Sequence, residues 1–144
     1  MNATIVKFGY PDGLVAEYDH WVVLLRPQQP TLGALVLAAK SDAEAFAELS
    51  PAAFAELGAV VADIEKALKS AAAYERINYL MLMMVDPHVH FHVLPRYDGE
   101  REACGVSVTD AGWPKVPELG SAVALSSAQT IALIAWLREH WPSN

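Results

Sequence analysis

One nine-residue stretch, residues 88–96, alternates histidines with apolar side chains: His-Val-His-Phe-His-Val-Leu-Pro-Arg. Val and Phe favour strands because branched and aromatic side chains pack well on a pleated surface. Every second side chain of a strand points to the same face. His88, His90 and His92 therefore line one face, while the apolar residues between them face a core.

The row of imidazoles suits an anionic ligand. Side chains on one face of a strand follow one another at roughly 6.5–7 Å, a spacing along which a phosphate chain can lie. Pro95 lacks an N–H and is expected to end the strand pairing, and Arg96 adds a permanent cation suited to phosphate. A purely structural role is disfavoured, because three unpaired rings on one buried face are costly. Histidines at i, i+2 and i+4 can also ligate one metal ion, so a zinc hydrolase stays open.

Length and composition limit the remaining classes. The chain has 144 residues, of which 53% are hydrophobic, and predicts one globular domain over 1–144. A net charge of −7 without a basic run disfavours binding to nucleic acid. The single cysteine, Cys104, cannot form an internal disulfide, and the N-terminus shows no signal-peptide pattern. The apolar runs are too short to span a membrane, so we expect a cytoplasmic protein.

The pattern predicts an antiparallel sheet. Four short strands are expected before the first long helix, at residues 4–10, 14–18, 21–25 and 35–39. A short helix or turn is expected at 42–49, and a further strand at 77–85 leads into the histidine strand.

Two helices carry recognisable start signals. Ser50 followed by Pro51 predicts an N-cap and a first helical residue. The apolar stripe of this helix follows at spacings of three and four: Phe54, Leu57, Val61, Ile64 and Leu68. Residues 98–125 predict a surface arm, and Ser126 with Gln129 predicts a capping box that opens a second helix over 126–142.

The histidine stretch resembles the histidine-triad (HIT) superfamily of nucleotidyl hydrolases and transferases, in particular the diadenosine polyphosphate hydrolase-like bacterial members. The resemblance implies an α+β fold with a five-stranded, mainly antiparallel sheet and two main helices. It also implies that His90 attacks the α-phosphate of a nucleoside phosphate conjugate or dinucleoside polyphosphate, forming a nucleotidyl-histidine that water then hydrolyses. His88 and His92 would bind phosphate and set ring tautomers. No cofactor is implied.

Further ligand contacts follow from the same resemblance, together with two departures from it. Arg26 stands where relatives carry Asp or Asn against the ribose, and Trp113, in a Trp-Pro element, is expected to edge the site; Arg96 is expected to bind phosphate. The link 83–87 lacks the Gln or Asn and the Ser or Thr that many relatives carry there. A nucleotide-binding module without turnover is therefore the second hypothesis beside the enzyme.

The family is commonly homodimeric, and a homodimer is expected here. The strands at 21–25 and 35–39 are apolar throughout. We expect them to be apolar sheet edges, which pairing with a second copy would cover.

Overall fold

A computed structural model of the chain describes residues 1–142. Three α-helices and nine strands alternate along it. The helices are α1 (Ala3–Lys7), α2 (Pro51–Ala72) and α3 (Ser127–His140), with a 3-10 turn at Phe46–Glu48. The strands are β1 (Leu14–Glu17), β2 (Trp21–Leu25), β3 (Gln28–Gln29), β4 (Leu35–Ala39), β5 (Arg76–Leu80), β6 (His90–Arg96), β7 (Glu100–Ala103), β8 (Val106–Thr109) and β9 (Val123–Ala124).

Five of the strands form one antiparallel sheet in the order β1-β2-β4-β6-β5. The predicted α+β class, with five main strands and two principal helices, is confirmed. The strands β3 and β9 pair with each other, and β7 pairs with β8. The predicted arm at 98–125 therefore contains β7, β8 and β9, joined by turns and irregular segments.

Both faces of the sheet centre are covered, which explains why β2 and β4 are apolar throughout. The larger core packs one face against α2 and α3, with Ile64, Leu68 and Leu137 fully buried. The smaller core packs Ile5 of α1 against the other face. Because β2 and β4 are interior strands, the expectation that they expose apolar edges was wrong; the open edge nearest the histidines is β5.

The N-terminal segment is a helix and not the predicted strand at 4–10. The side chain of Asn2 accepts a hydrogen bond from the Ile5 N–H and caps the helix. The Asn2 amide also donates to the carbonyls of Ala39 and Ser41 at 3.0 and 2.9 Å. Tertiary anchoring of this cap outweighs the loose alternation of the sequence.

The long helix follows its predicted signals with one exception. Ser50 caps it, Pro51 is its first residue, and it ends at Ala72. Phe54 of the predicted stripe is 41% exposed. Its ring packs on Phe46, 5.4 Å between centroids, and not on the sheet.

Two strand ends differ from prediction around the histidines. β5 ends at Leu80 and not at Val85, and Met83 takes a positive φ of 53° in the link that follows. Pro95 does not end β6: it lies opposite Ile77 of β5, while pairing with β4 stops at Val93. The lost N–H is tolerated because Pro95 has a paired neighbour on one side only.

No helix within residues 1–142 is both long enough and apolar enough to cross a membrane.

Candidate functional site

The histidine cluster lies at the start of β6, an interior strand between β4 and β5. His90 stands opposite Ala38, and His92 opposite Val36 and Leu80. The rings of His90 and His92 meet edge to face, 5.2 Å between centroids. Both residues are buried, at 2% and 7% exposure, so each ring needs a fixed partner.

The partner of His90 fixes where its proton is. Its Nδ1 lies 2.7 Å from the backbone carbonyl oxygen of His88. A carbonyl oxygen can only accept a hydrogen bond, so Nδ1 carries the proton and donates. In the neutral ring Nε2 then holds a lone pair, which is the form an attacking imidazole needs.

The partner of His92 imposes the opposite tautomer. Arg26 Nε donates to His92 Nδ1 at 3.3 Å, and since a guanidinium can only donate, Nδ1 is the acceptor. The proton of neutral His92 is then on Nε2. Burial, followed by the charges of Arg26 and His90, lowers the pKa of His92 to about 4. His92 is therefore neutral at pH 7 and presents an N–H donor.

His88 precedes β6 and is half-buried. Its Nδ1 lies 2.8 Å from the hydroxyl of Thr4 on α1. The structure thus brings all three predicted catalytic histidines to one side of the sheet, although only two of them belong to the strand.

The helix α1 forms a wall of this site that the sequence reasoning missed. The Phe8 ring that follows it lies 5.7 Å from the ring of His90 and 5.6 Å from that of His92. Lys7 forms an ion pair with Asp86 in the link before His88. The signal that could have found α1 is Asn2, a favoured N-cap residue placed three residues before Ile5.

Arg26 reaches the histidines as a candidate substrate contact. It follows β2, and its Nη1 donates to the Gln28 carbonyl at 2.7 Å. Its Nη2 has no hydrogen-bond partner within residues 1–142, so one donor is available beside His92. Burial lowers the pKa of Arg26, but arginine retains its charge in proteins.

Arg96 and Trp113 lie elsewhere. Arg96 is four residues beyond His92, about 13 Å along the strand. Its guanidinium donates to both oxygens of Asp110, at 2.7 and 3.0 Å, and to Asn78 Oδ1 at 2.7 Å. Both members of this ion pair are buried, so the expected phosphate contact is not what Arg96 does in this structure.

Trp113 lines a different depression from the histidine cluster. A groove of about 1070 Å³ runs along the open edge of β5, between that strand and residues 113–117, with Arg96 at its floor. The sequence missed Asp110, the buried partner of Arg96, because its spacing of fourteen residues from Arg96 carries no recognisable motif.

Metal ligation was the competing interpretation of the cluster. Among the described residues, no group of three or more His, Cys, Asp or Glu side chains is arranged to hold a metal ion. The Nδ1 atoms of His88, His90 and His92 are occupied by bonds to Thr4, the His88 carbonyl and Arg26, respectively.

Solved structures from three organisms superpose on this chain over nearly its whole length. A histidine triad protein from Bradyrhizobium japonicum superposes with a TM-score of 0.75 at 20% identity, covering 98% of this chain and 96% of that one. A histidine triad (HIT) protein from Sinorhizobium meliloti gives 0.75 at 21% identity, covering 97% and 95%. A hypothetical histidine triad nucleotide-binding protein from Sulfolobus tokodaii gives 0.69 at 20% identity, covering 95% and 88%.

At these identities the structures establish a shared fold and no more. No curated protein matched the sequence. The family model of the HIT domain matches residues 9–99, more than half of the chain. This match confirms the predicted resemblance at the level of the family: the chain belongs to the HIT domain family.

Proposed function

We propose that this protein is a nucleotidyl hydrolase or transferase that cleaves at the α-phosphate of a nucleoside phosphate conjugate or a dinucleoside polyphosphate. The observation that carries the proposal is the 2.7 Å contact between His90 Nδ1 and the His88 carbonyl. This contact leaves a lone pair on Nε2 of His90, while the adjacent His92 presents an N–H. An attacking nitrogen beside a phosphoryl-oxygen donor is the arrangement that nucleotidyl transfer needs.

The first step is attack of His90 Nε2 on the α-phosphorus. The bond from phosphorus to the leaving oxygen breaks, and the electron pair and a proton from water go to that oxygen. The His90 ring becomes cationic, and the His88 carbonyl stabilises it by accepting its Nδ1–H. His92 Nε2–H and Arg26 Nη2 donate to the phosphoryl oxygens.

The second step regenerates the ring. Water attacks phosphorus, the P–N bond breaks, and its electron pair returns to Nε2. One water proton leaves to solvent, and the product is a nucleoside monophosphate. An acceptor other than water would make the same intermediate a transferase.

The alternative is a binding module that does not turn its ligand over. It is favoured by the link 83–87, Met-Met-Val-Asp-Pro, which has no amide or hydroxyl side chain near the leaving group.

A rapid-mixing experiment separates the two. An adenosine 5′-phosphate ester with a chromogenic leaving group, and in parallel diadenosine tetraphosphate, are mixed with wild type, His90→Asn and His20→Ala. We expect a burst of one leaving group per chain for wild type and for His20→Ala, whose histidine lies at the β1–β2 turn, and none for His90→Asn. Absence of a burst and of turnover in wild type, with the nucleotide still bound, would favour the binding module. A chelator added to wild type should leave the burst unchanged; its loss would favour the zinc hydrolase.

We further propose that residues 1–144 act as one domain.

We also propose that two copies of the chain pair along β5, the open sheet edge beside the histidine strand. Near this edge Leu82, Met84 and Val85 are exposed, which a partner would cover. A two-fold axis lets β5 pair antiparallel with its own copy. Light scattering at micromolar concentration should give twice the 15.6 kDa chain mass; a single-chain mass would contradict the dimer.

The exposed free Cys104 fits a reducing compartment, so the cytoplasm is the proposed location.

A further inference from the structure

The hydroxyl of Thr4 lies 2.8 Å from Nδ1 of His88, across 84 residues of sequence. Thr4 belongs to α1, which precedes the residues that the HIT family model matches. The residue is 2% exposed, and Ile5 beside it is fully buried. The helix is anchored at both ends, by the Asn2 amide to β4 and by Lys7 to Asp86 in the link before β6. The position of the Thr4 hydroxyl is therefore fixed by the fold.

The direction of the hydrogen bond between Thr4 and His88 follows from the acceptors available to the Thr4 hydroxyl proton. A hydroxyl has one proton to donate, whereas its lone pairs can remain partly unused at lower cost. His88 Nδ1 is the sole hydrogen-bond partner of Thr4 Oγ1 within the described residues. If Nδ1–H donated to Thr4, the buried hydroxyl proton would have no acceptor there. Thr4 therefore donates, and the proton of neutral His88 is on Nε2.

We propose that Thr4 is a positioning residue that holds His88 as the Nε2–H tautomer, so that His88 donates a hydrogen bond to a phosphoryl oxygen beside His90. The inference rests on the proposed function and extends it. With His90 protonated on Nδ1 and His92 on Nε2, the three rings then present donor, nucleophile and donor in order along the chain. The link 83–87 has no hydroxyl side chain, so the N-terminal helix supplies the hydroxyl at this end of the cluster.

The test pairs two substitutions at the same position. Thr4→Val keeps the branched shape and removes the hydroxyl, whereas Thr4→Ser keeps the hydroxyl. Thr109→Val removes an exposed hydroxyl from β8 and is the matched control. Long-range ¹H–¹⁵N NMR reads the protonated nitrogen of His88 directly, with His88→Asn to assign its signal, and requires no turnover.

We expect wild type, Thr4→Ser and Thr109→Val to show His88 protonated on Nε2, and Thr4→Val to show a mixture of tautomers. The value of kcat/KM should fall about tenfold in Thr4→Val, by analogy with the low end of the cost of losing a hydrogen-bond partner of a metal-bound histidine. It should be restored by Thr4→Ser. Thr4→Ala gives the same reading if the valine variant does not fold.

An unchanged tautomer in Thr4→Val, or a serine variant as impaired as the valine variant, would overturn the role of Thr4. If no protein turns over any nucleotide but the tautomer still shifts in Thr4→Val, the positioning role is upheld and the proposed enzymatic function fails. The two proposals are thus tested separately.

Discussion

The two ends of β6 carry polar side chains on the same face of the strand but use them differently. At the Arg96 end, all the contacts are made within the protein: Arg96 donates to Asp110 and Asn78, and Asp110 also accepts from the Tyr97 N–H. At the His90 end, the side chains of His88, His90 and His92 each form hydrogen bonds within residues 1–142 through Nδ1 alone. The Arg96 end therefore fastens the arm to the sheet, whereas the His90 end keeps a second nitrogen of each ring for a ligand.

The difference also separates a structural cation, Arg96 at the end of β6, from a candidate functional one, Arg26 after β2. Both Arg26 and Arg96 are suited to phosphate by residue type. Arg96 forms a two-point ion pair with a buried carboxylate. Among the residues that the structure describes, the Arg26 guanidinium donates only to a neutral imidazole and a carbonyl. An uncompensated cation with a free donor is available to an anionic substrate; a neutralised one is not.

The largest expected effect is at the Arg96 end. Asp110→Ala leaves a buried guanidinium without its carboxylate and should lower the free energy of unfolding by about 3–5 kcal/mol. The measurement is urea denaturation followed by tryptophan fluorescence. Replacing the pair together, Arg96→Met with Asp110→Leu, should recover much of that loss, because neither charge is then left buried. A loss below about 1 kcal/mol in Asp110→Ala would show that the pair is not the fastening we describe.

The next effect is at the other end of the strand. Arg26→Met should leave stability nearly unchanged and lower kcat/KM for a nucleotide conjugate by roughly 10–100-fold, by analogy with the loss of a hydrogen-bond partner of a metal-bound histidine. The pKa of His92 should rise, because a neighbouring cation has been removed. Lys115→Met, at the groove beside Trp113, is the control and should leave both kcat/KM and the pKa of His92 unchanged. Equal losses of turnover in Arg26→Met and Lys115→Met would contradict the distinction between the His90 end and the Arg96 end of β6.

The smallest effect is a pH dependence that His92 alone should give. Its pKa is about 4 in the folded protein, against about 6.5 when unfolded, so the unfolded chain binds a proton between these values and the folded chain does not. Its contribution to stability is fully present above pH 6.5 and is lost as pH falls toward 4. Between pH 7 and pH 5 the free energy of unfolding of wild type should fall by roughly 2 kcal/mol more than that of His92→Asn. If the free energy of unfolding changed with pH in the same way in wild type and His92→Asn, burial would not be keeping His92 neutral.

The sequence predicted the parts of the fold that local signals specify. The alternation at 88–96, the Ser50 cap with Pro51 and the capping box at Ser126 each correspond to an observed element. The parts that failed depend on distant contacts. The helix α1 exists because Asn2 binds the backbone of β4 and beyond, and Phe54 is exposed because Phe46 offers it another aromatic ring.

The site divides in the same way. Residue type and spacing were enough to place the three histidines together, whereas Arg26 was indicated as a candidate contact by the resemblance to the family. They did not reveal that Arg96 would be neutralised by Asp110, or that Thr4 would reach His88, because both partners come from segments whose position only the folded sheet determines.

The central claim is that the protein assigns a different tautomer to His90 than to the histidine on either side. Long-range ¹H–¹⁵N NMR of the uniformly labelled protein at pH 7, with single His→Asn variants to assign each ring, measures this without any substrate. The account predicts the proton of His90 on Nδ1 and those of His88 and His92 on Nε2. A His90 ring protonated on Nε2 would contradict it, because no lone pair would then face the phosphate.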